Sequence, residues 1–344
     1  MPKPILISGI QPSGKLHIGN YLGALKNFVG LQNSGKYECY FFIADLHALT
    51  ENPEAKNLRE SAINLKADFL AVGLDPKKST LFVQSKIQPV QELKWILSTL
   101  TPVSELLRMT AFKEKVLQPL TAPEREKITK EKFDEIVEKS NFGLAEYPIL
   151  MAADILIYDA QFVPVGDDQL QHLELARTLA RKFNSKFGKI LVAPKPLLTG
   201  FSRVMSLSDP AKKMSKSEPS GCLFLDDKPE VIKSKVMKAV TDSGTDVRYD
   251  EKEKPGISNL LKIYSAFDGS SITHIEKRFA GKGYGDFKQS LAEMISEKLA
   301  PFQKAKSKLI KSPAVNRAFD VGAVKASVKA KAKLAKIKKA IGIA

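Results

Sequence analysis

"GIQPSGKLHIGN", Gly9–Asn20, closes an apolar run and can be read in two registers. Counted from Gly9, the spacing G-x-x-x-x-G-K matches a P-loop, in which Lys15 would reach a triphosphate. That chemistry needs Ser or Thr after the lysine to bind magnesium, and position 16 is Leu. The apparent companion, the acid that ends "CYFFIAD" (Cys39–Asp45), carries little weight, because an Asp after apolar residues is common at strand ends. Counted from His17, H-I-G-N opens a helix whose free N–H groups and positive dipole end attract phosphate. Gly19 then lets a nucleotide lie against the backbone, and the His17 imidazole can donate to a phosphate oxygen in the transition state.

Working outward, the runs "PILISGI" (Pro4–Ile10), "CYFFIAD", "STLFVQS" (Ser79–Ser85) and "KILVAP" (Lys189–Pro194) alternate with segments of helical period. Residues 1–207 therefore read as a doubly wound, Rossmann-like α/β domain with a parallel sheet and ligands at the carboxyl ends of its strands. One helix is well punctuated, with Asn52 as N-cap, Pro53 at its first position and Gly73 past its end. A charged helical insertion is expected over about 103–146, including the amphipathic "APEREKITKEKFDEIVEKS" (Ala122–Ser140). Residues 208–220 read as a loop, 221–328 as a separate all-helical domain, and 329–344 as a basic tail. The end of the chain has no acidic residue after Asp320 and seven lysines, Lys325 to Lys339. Val324, Val328, Leu334, Ile337 and Ile341 offer it a partial apolar stripe. It reads either as a basic helix lying on RNA or as a frayed, solvated terminus. Trp95, the only tryptophan, reads as a packing residue.

At 344 residues, 43% apolar and 27% charged, the chain has the composition of a soluble globular protein. No apolar run approaches the ~18 to 20 residues of a membrane span, and the loop beginning by Ser8 leaves no room for a cleavable leader. Cys39 and Cys222, with His17, His47, His172 and His274, have no metal-ligand spacing, so a disulfide framework or structural zinc is not expected. A cytoplasmic protein fits. The net charge of +16 makes nucleic acid the leading macromolecular partner, since a polyanion gains by counterion release.

"KKMSKS" (Lys212–Ser217), flanked by Pro210 and Pro219, reads as a mobile loop whose ammonium groups can close over a triphosphate. Together, H-I-G-N and K-M-S-K-S about 200 residues later resemble the two signatures of class I aminoacyl-tRNA synthetases. Between them lies "AEYPILMAADILIYDAQFVPVGDDQLQH" (Ala145–His172), where Tyr147, Met151 and Asp154 share one helix face. An Asp among apolar residues is costly unless it meets a donor. A neighbouring protein group or a substrate indole N–H would serve. Y-P-I-L-M-A-A-D-I-L followed by V-P-V-G-D-D-Q, with "SGIQPSG", "FKEK", "VMSLSDPAKKMSKS" and "KPGISNLL", resembles the tryptophanyl-tRNA synthetase family from Ser8 to about Leu261. The likeness weakens through "GKGYG". Tyrosyl relatives share the fold and both signatures, but "LMAAD" is not their usual pattern.

The resemblance implies ATP-dependent activation of L-tryptophan with Mg2+, transfer to the 3′ end of a tryptophan-accepting tRNA, and a homodimer. At matching positions it implies ATP contacts from Gln11, Pro12, Ser13, Gly19, Asn20, Gly166, Asp167, Asp168 and Val204. The second loop would add Lys213, Met214, Ser215, Lys216 and Ser217. Tyr147, Met151 and Asp154, with His47 and Gln169, would hold tryptophan. His17, Asn20, Lys213, Ser215 and Lys216 would stabilise charge on the leaving pyrophosphate, with Lys115 reaching the triphosphate from the insertion. A non-catalytic RNA-binding relative would not need an intact K-M-S-K-S, and a related nucleotidylyltransferase would lack the helix around Asp154. Four features depart from the family pattern: Ile7 where some bacterial relatives carry Phe, Asn20 ending H-I-G-N in place of His (a variation compatible with this branch), the long stretch 117–145, and the lysine-rich end.

Overall fold

The computed structural model describes residues 2–117, 120–198 and 203–343. Five parallel strands, β1 (Ile5–Ile10), β2 (Glu38–Ile43), β3 (Ser79–Val83), β4 (Phe162–Val165) and β5 (Lys195–Leu198), form one sheet in the order β3-β2-β1-β4-β5. The expected Rossmann-like α/β fold is therefore present. The order reverses between β1 and β4, which opens a crevice beyond their carboxyl ends. β1 delivers Gly9 to that crevice and β4 delivers Gly166.

The inner strands are apolar on both faces because helices cover both, whereas the edge strand β5 is largely exposed. Ile7, Tyr40, Phe42 and Phe82 pack towards the helix Gly143–Leu156. Leu6, Phe41, Ile43 and Leu81 pack on the other side, in a core continuous with the helices that follow the second signature. The stretch read as an insertion is helical at Val103–Leu107, Thr110–Val116, Ala122–Glu126 and Lys130–Lys139. Residues 118 and 119 of it lie outside the described residues. No described helix is long and apolar enough to cross a membrane.

Several boundaries differ from expectation. "KILVAP" is not a strand; the fifth strand is the next segment, KPLL. Asn184 explains the shift. Its Oδ1 accepts from the N–H groups of Ile190 and Leu191 at 2.9 and 2.8 Å, and its Nδ2 donates to the Leu191 carbonyl at 2.7 Å. That occupies the backbone groups a ladder would need. The helix expected from Pro53 starts at Ala55, and Asn52 takes a left-handed conformation at φ 48° instead of capping it. Asn tolerates that region better than most residues. Gly73, at φ 104°, follows the helix end as expected.

The end of the chain is one helix, Pro313–Ile341, docked on β3 and on the helix Gln88–Ser98. The boundary drawn at residue 328 falls inside it. Gly322 permits the crossing, since a Cβ there would sit 1.9 Å from the Leu81 carbonyl oxygen. The buried face is Ala323, Ala326, Ala330, Leu334 and Ile337, while Val324 and Val328 point to solvent. Small residues are needed where a helix lies this close to a strand, so the valines of the expected stripe are displaced outward. Lys333 is buried and pairs with Asp159 and the Ile190 carbonyl, and Lys338 pairs with Glu92 at 2.7 Å. Trp95 is 69% exposed, so it is not a packing residue within this chain. Its neighbours Leu93 and Ile96 take the buried positions of that helix.

Candidate active site

His17 caps the short helix Ile18–Asn20. Its Nδ1 accepts from the Gly19 N–H at 3.1 Å, and Asn20 Oδ1 accepts from the His17 backbone N–H at 3.1 Å. Using Nδ1 as acceptor leaves the proton on Nε2, the atom free to donate to a ligand. Burial, then the nearby Lys216 and Lys213, lower the His17 pKa to about 4, so the ring is neutral at pH 7. Gly19 is dictated by this geometry, because a Cβ would lie 2.8 Å from the imidazole. The following turn, Tyr21–Leu25, is π-helical and turns Gly23 and Ala24 towards the crevice.

The second signature is held by a small hairpin. Met214 N–H donates to the Val204 carbonyl at 3.0 Å, and Ser206 N–H to the Lys212 carbonyl at 2.8 Å. Buried Asn259 uses both ends of its amide on the Met205 backbone, each at 3.0 Å. From this hairpin Lys216 crosses the crevice, and its Nζ donates to the carbonyl and Oγ of Ser13 at 3.2 and 3.1 Å. The two signature loops thus touch directly.

Between them lies a cavity of about 530 Å³. It gathers Ser13, His17, Gly19, Asn20, Gly166, Asp168, Val204, Lys213, Met214, Ser215 and Lys216. Glu51 and Arg203, which the sequence reading missed, also line it. Asp167 and Ser217 are exposed and line neither this cavity nor its neighbour; Ser217 Oγ instead lies 2.8 Å from Ser215 Oγ. Pro12 and Lys15 line a different cavity, which shares Ser13 and Glu51 with this one. The P-loop register gains no support, since Lys15 does not line the cavity between the two signature loops.

A second cavity, about 370 Å³, adjoins the first through Gly23, Ala24 and Gly166. Tyr147, Met151 and Asp154 line it together, as their spacing on the helix Gly143–Leu156 requires, and His47, Gln169 and Gln11 join them. Asp154 is 3% exposed. Its Oδ2 receives Gln84 Nε2 at 2.6 Å and lies 3.0 Å from His47 Nε2. Among the described residues no protein donor meets Oδ1. Burial raises the Asp154 pKa, and the hydrogen bonds from His47 and Gln84 oppose that rise by favouring the carboxylate. Gln84 was not legible as a site residue. It is fully buried, and its Oε1 accepts from the Leu46 and His47 N–H groups at 3.1 and 3.4 Å.

Tyr147 OH lies 2.8 Å from Nε2 of buried His172. Lys115 sits over the Tyr147 ring, with Nζ 4.9 Å from its centroid. The structure therefore places Lys115 on the second cavity and not among the lysines of the first. Ile7 lines the second cavity with Phe42 and Val165, so Phe42 supplies an aromatic wall beside it.

Two loops closing over a crevice at the sheet's switch point are the ATP-holding arrangement of class I aminoacyl-tRNA synthetases, and wider comparisons follow that class. Residues 2–300 match the family "tRNA synthetases class I (W and Y)". A tryptophan–tRNA ligase of Caldanaerobacter subterraneus is 46% identical over 341 residues, 98% of each chain. A tryptophanyl-tRNA synthetase of Mycoplasma pneumoniae superimposes with a TM-score of 0.87 at 34% identity, covering 100% of this chain and 99% of that one. The Campylobacter jejuni tryptophanyl-tRNA synthetase, solved with ADP and tryptophan, gives 0.79 at 34% identity, covering 98% and 99%. The chain belongs to this tryptophan and tyrosine family of class I tRNA synthetases.

Proposed function

We infer that this chain is an enzyme that activates L-tryptophan with ATP and transfers it to the 3′ end of its tRNA. The observation that carries the substrate choice is Asp154. It is a buried carboxylate with one oxygen held by two protein donors and the other without a donor among the described residues, on a cavity that adjoins the nucleotide cavity. An indole N–H is a single donor that fits a single free acceptor. Names carried by relatives at 43–46% identity over nearly the whole chain support the same reading. The tyrosine alternative is not favoured.

In the first step a carboxylate oxygen of tryptophan attacks the α-phosphorus of ATP, the bond to the β-bridging oxygen breaks, and pyrophosphate leaves. The amino acid carboxylate is already ionised at neutral pH, so no strong general base is required. Catalysis is positioning plus stabilisation of charge on the leaving group. Neutral His17 offers Nε2–H, while Lys213, Lys216 and Ser215 bring charge and donors from the opposite wall. A ribose hydroxyl of the tRNA then takes the acyl group and releases AMP.

Among the described residues no cluster of three His, Cys, Asp or Glu side chains is placed to hold a metal ion. Magnesium, carried with the triphosphate, would supply further neutralisation of the phosphate charge in the cavity that His17, Lys213 and Lys216 line. The basic surface is the proposed tRNA footprint. We assign the chain to the cytoplasm and propose a homodimer, with exposed Trp95 in the buried contact between protomers. Exchange of labelled pyrophosphate into ATP, run with each amino acid in turn, tests the function. Tryptophan alone should support it; exchange with tyrosine alone would overturn the substrate assignment.

A further inference from the structure

The segment Cys222–Asp227 lies across the first signature like a strap. The Ile18 N–H donates to the Leu223 carbonyl and the Leu225 N–H to the Leu16 carbonyl, both at 2.9 Å, and His17 forms an antiparallel bridge with Phe224. His17 thus takes its position from a segment more than two hundred residues away. That segment is in turn held from behind by the long helix Tyr284–Leu309. Gln303 Nε2 donates to the carbonyls of Leu225 and Asp227 at 2.8 and 3.0 Å. Lys306 Nζ pairs with Asp226 and with Asp68 of the helix Ala55–Ala71, each at 2.7 Å. Lys235, from a third helix, donates to the Cys222 carbonyl at 2.8 Å and to Asp227 at 2.7 Å.

Lys306 is 7% exposed and Asp68 2% exposed. A buried ion pair of this kind adds little net stability over a well-packed apolar residue, because desolvation offsets the Coulomb gain. What it does supply is a fixed distance between three elements: the sheet-side helix, the strap and the long helix. Hydrogen bonds from Gln303 to two backbone carbonyls fix the strap in the same way.

We propose that Gln303 and Lys306 are positioning residues for adenylate formation, setting the placement of His17 through the strap Cys222–Asp227. The proposal rests on His17 acting on the nucleotide, as in the function above. Neither residue lines the nucleotide cavity or the Asp154 cavity, although Lys306 lines a third cavity that shares Ser13 and Glu51 with the nucleotide cavity. The strap therefore bears on the phosphate side of the reaction and not on recognition of the indole.

The test uses the full chain with Gln303→Leu, Lys306→Met and Lys306→Arg in tryptophan-dependent ATP–pyrophosphate exchange, with thermal midpoints alongside. Gln303→Leu and Lys306→Met should each lower kcat about tenfold, the scale of a slightly displaced transition-state donor. Tryptophan KM should stay within about twofold of wild type, since Asp154 is held elsewhere. Lys306→Arg keeps a cation and should retain most of kcat. Adding His17→Ala to Gln303→Leu should cost little beyond His17→Ala alone, because both act through one group. Should Lys306→Met fail to fold, Gln303→Leu carries the test, as it removes no charge. Unchanged kcat in the folded variants, or an equal rise in tryptophan KM, would overturn the proposal. Failure of the wild type with tryptophan would instead overturn the functional reading, and the same variants then test the strap with whichever amino acid supports exchange.

Discussion

Gln84 Nε2 lies 2.6 Å from Asp154 Oδ2, and the same amide's Oε1 accepts the backbone N–H groups of Leu46 and His47. The amide is thereby oriented from behind, and it holds one oxygen of a carboxylate that lines the cavity. Gln84→Leu removes this support and should raise tryptophan KM about tenfold while changing kcat little, because the lost interaction acts on the bound amino acid in ground and transition states alike. Steady-state exchange kinetics at saturating ATP check it. A fall in kcat with unchanged KM would show that Gln84 serves the nucleotide instead.

His17→Ala and Lys216→Ala should each slow adenylate formation by about 10² to 10³, the cost of removing one charge-stabilising donor. Lys15→Ala should stay near wild type, because Lys15 lines another cavity. Single-turnover formation of the adenylate measures all three. A collapse in Lys15→Ala would revive the P-loop register.

His172 and His17 have pKa values lowered to about 4, in both cases first by burial. The native state therefore binds fewer protons than the unfolded state, whose histidines titrate near 6.5. The resulting stability is present above pH 6.5 and is lost as pH falls from there towards 4. For His172, at 1% exposure, the loss is on the order of 3 kcal/mol. His172→Gln should flatten this dependence, and urea midpoints at pH 7.5 and 5 would read it. An equal loss in wild type and variant would place the acid sensitivity elsewhere.

Gly19→Ala should mimic a His17 lesion without removing the imidazole. The added Cβ would lie 2.8 Å from the ring, at positive cost whichever group moves. ATP KM and kcat should both worsen while tryptophan binding by equilibrium dialysis holds; intact kcat would show that the ring position is not critical.

Much of this was legible in the sequence because it depends on local spacing. The faces of Tyr147, Met151 and Asp154 follow from helical period, and the two signature loops are contiguous stretches. Gln84 was not legible: a glutamine at the end of a strand looks like any polar loop residue until the fold brings it beside residue 154. The strap and Gln303 were hidden for the same reason, since their partners are separated by tens to hundreds of residues. β5 was misplaced because Asn184, a single side chain, diverts the apolar run before it. The terminal valines misled because close helix–strand packing selects alanine and Gly322, a rule that hydrophobic period alone does not contain.

Asp154→Asn tests the recognition of the ring nitrogen most directly. Its carbonyl oxygen would turn to the Gln84 and His47 donors, leaving an amide N–H to confront the indole N–H. Binding of tryptophan and of its benzothienyl analogue, which has sulfur in place of N–H, should be compared in wild type and variant by equilibrium dialysis. Wild type should prefer tryptophan by at least about tenfold, and the variant should lose that preference, mainly through weaker tryptophan binding. An undiminished preference in Asp154→Asn would contradict the assignment of this carboxylate as the indole acceptor.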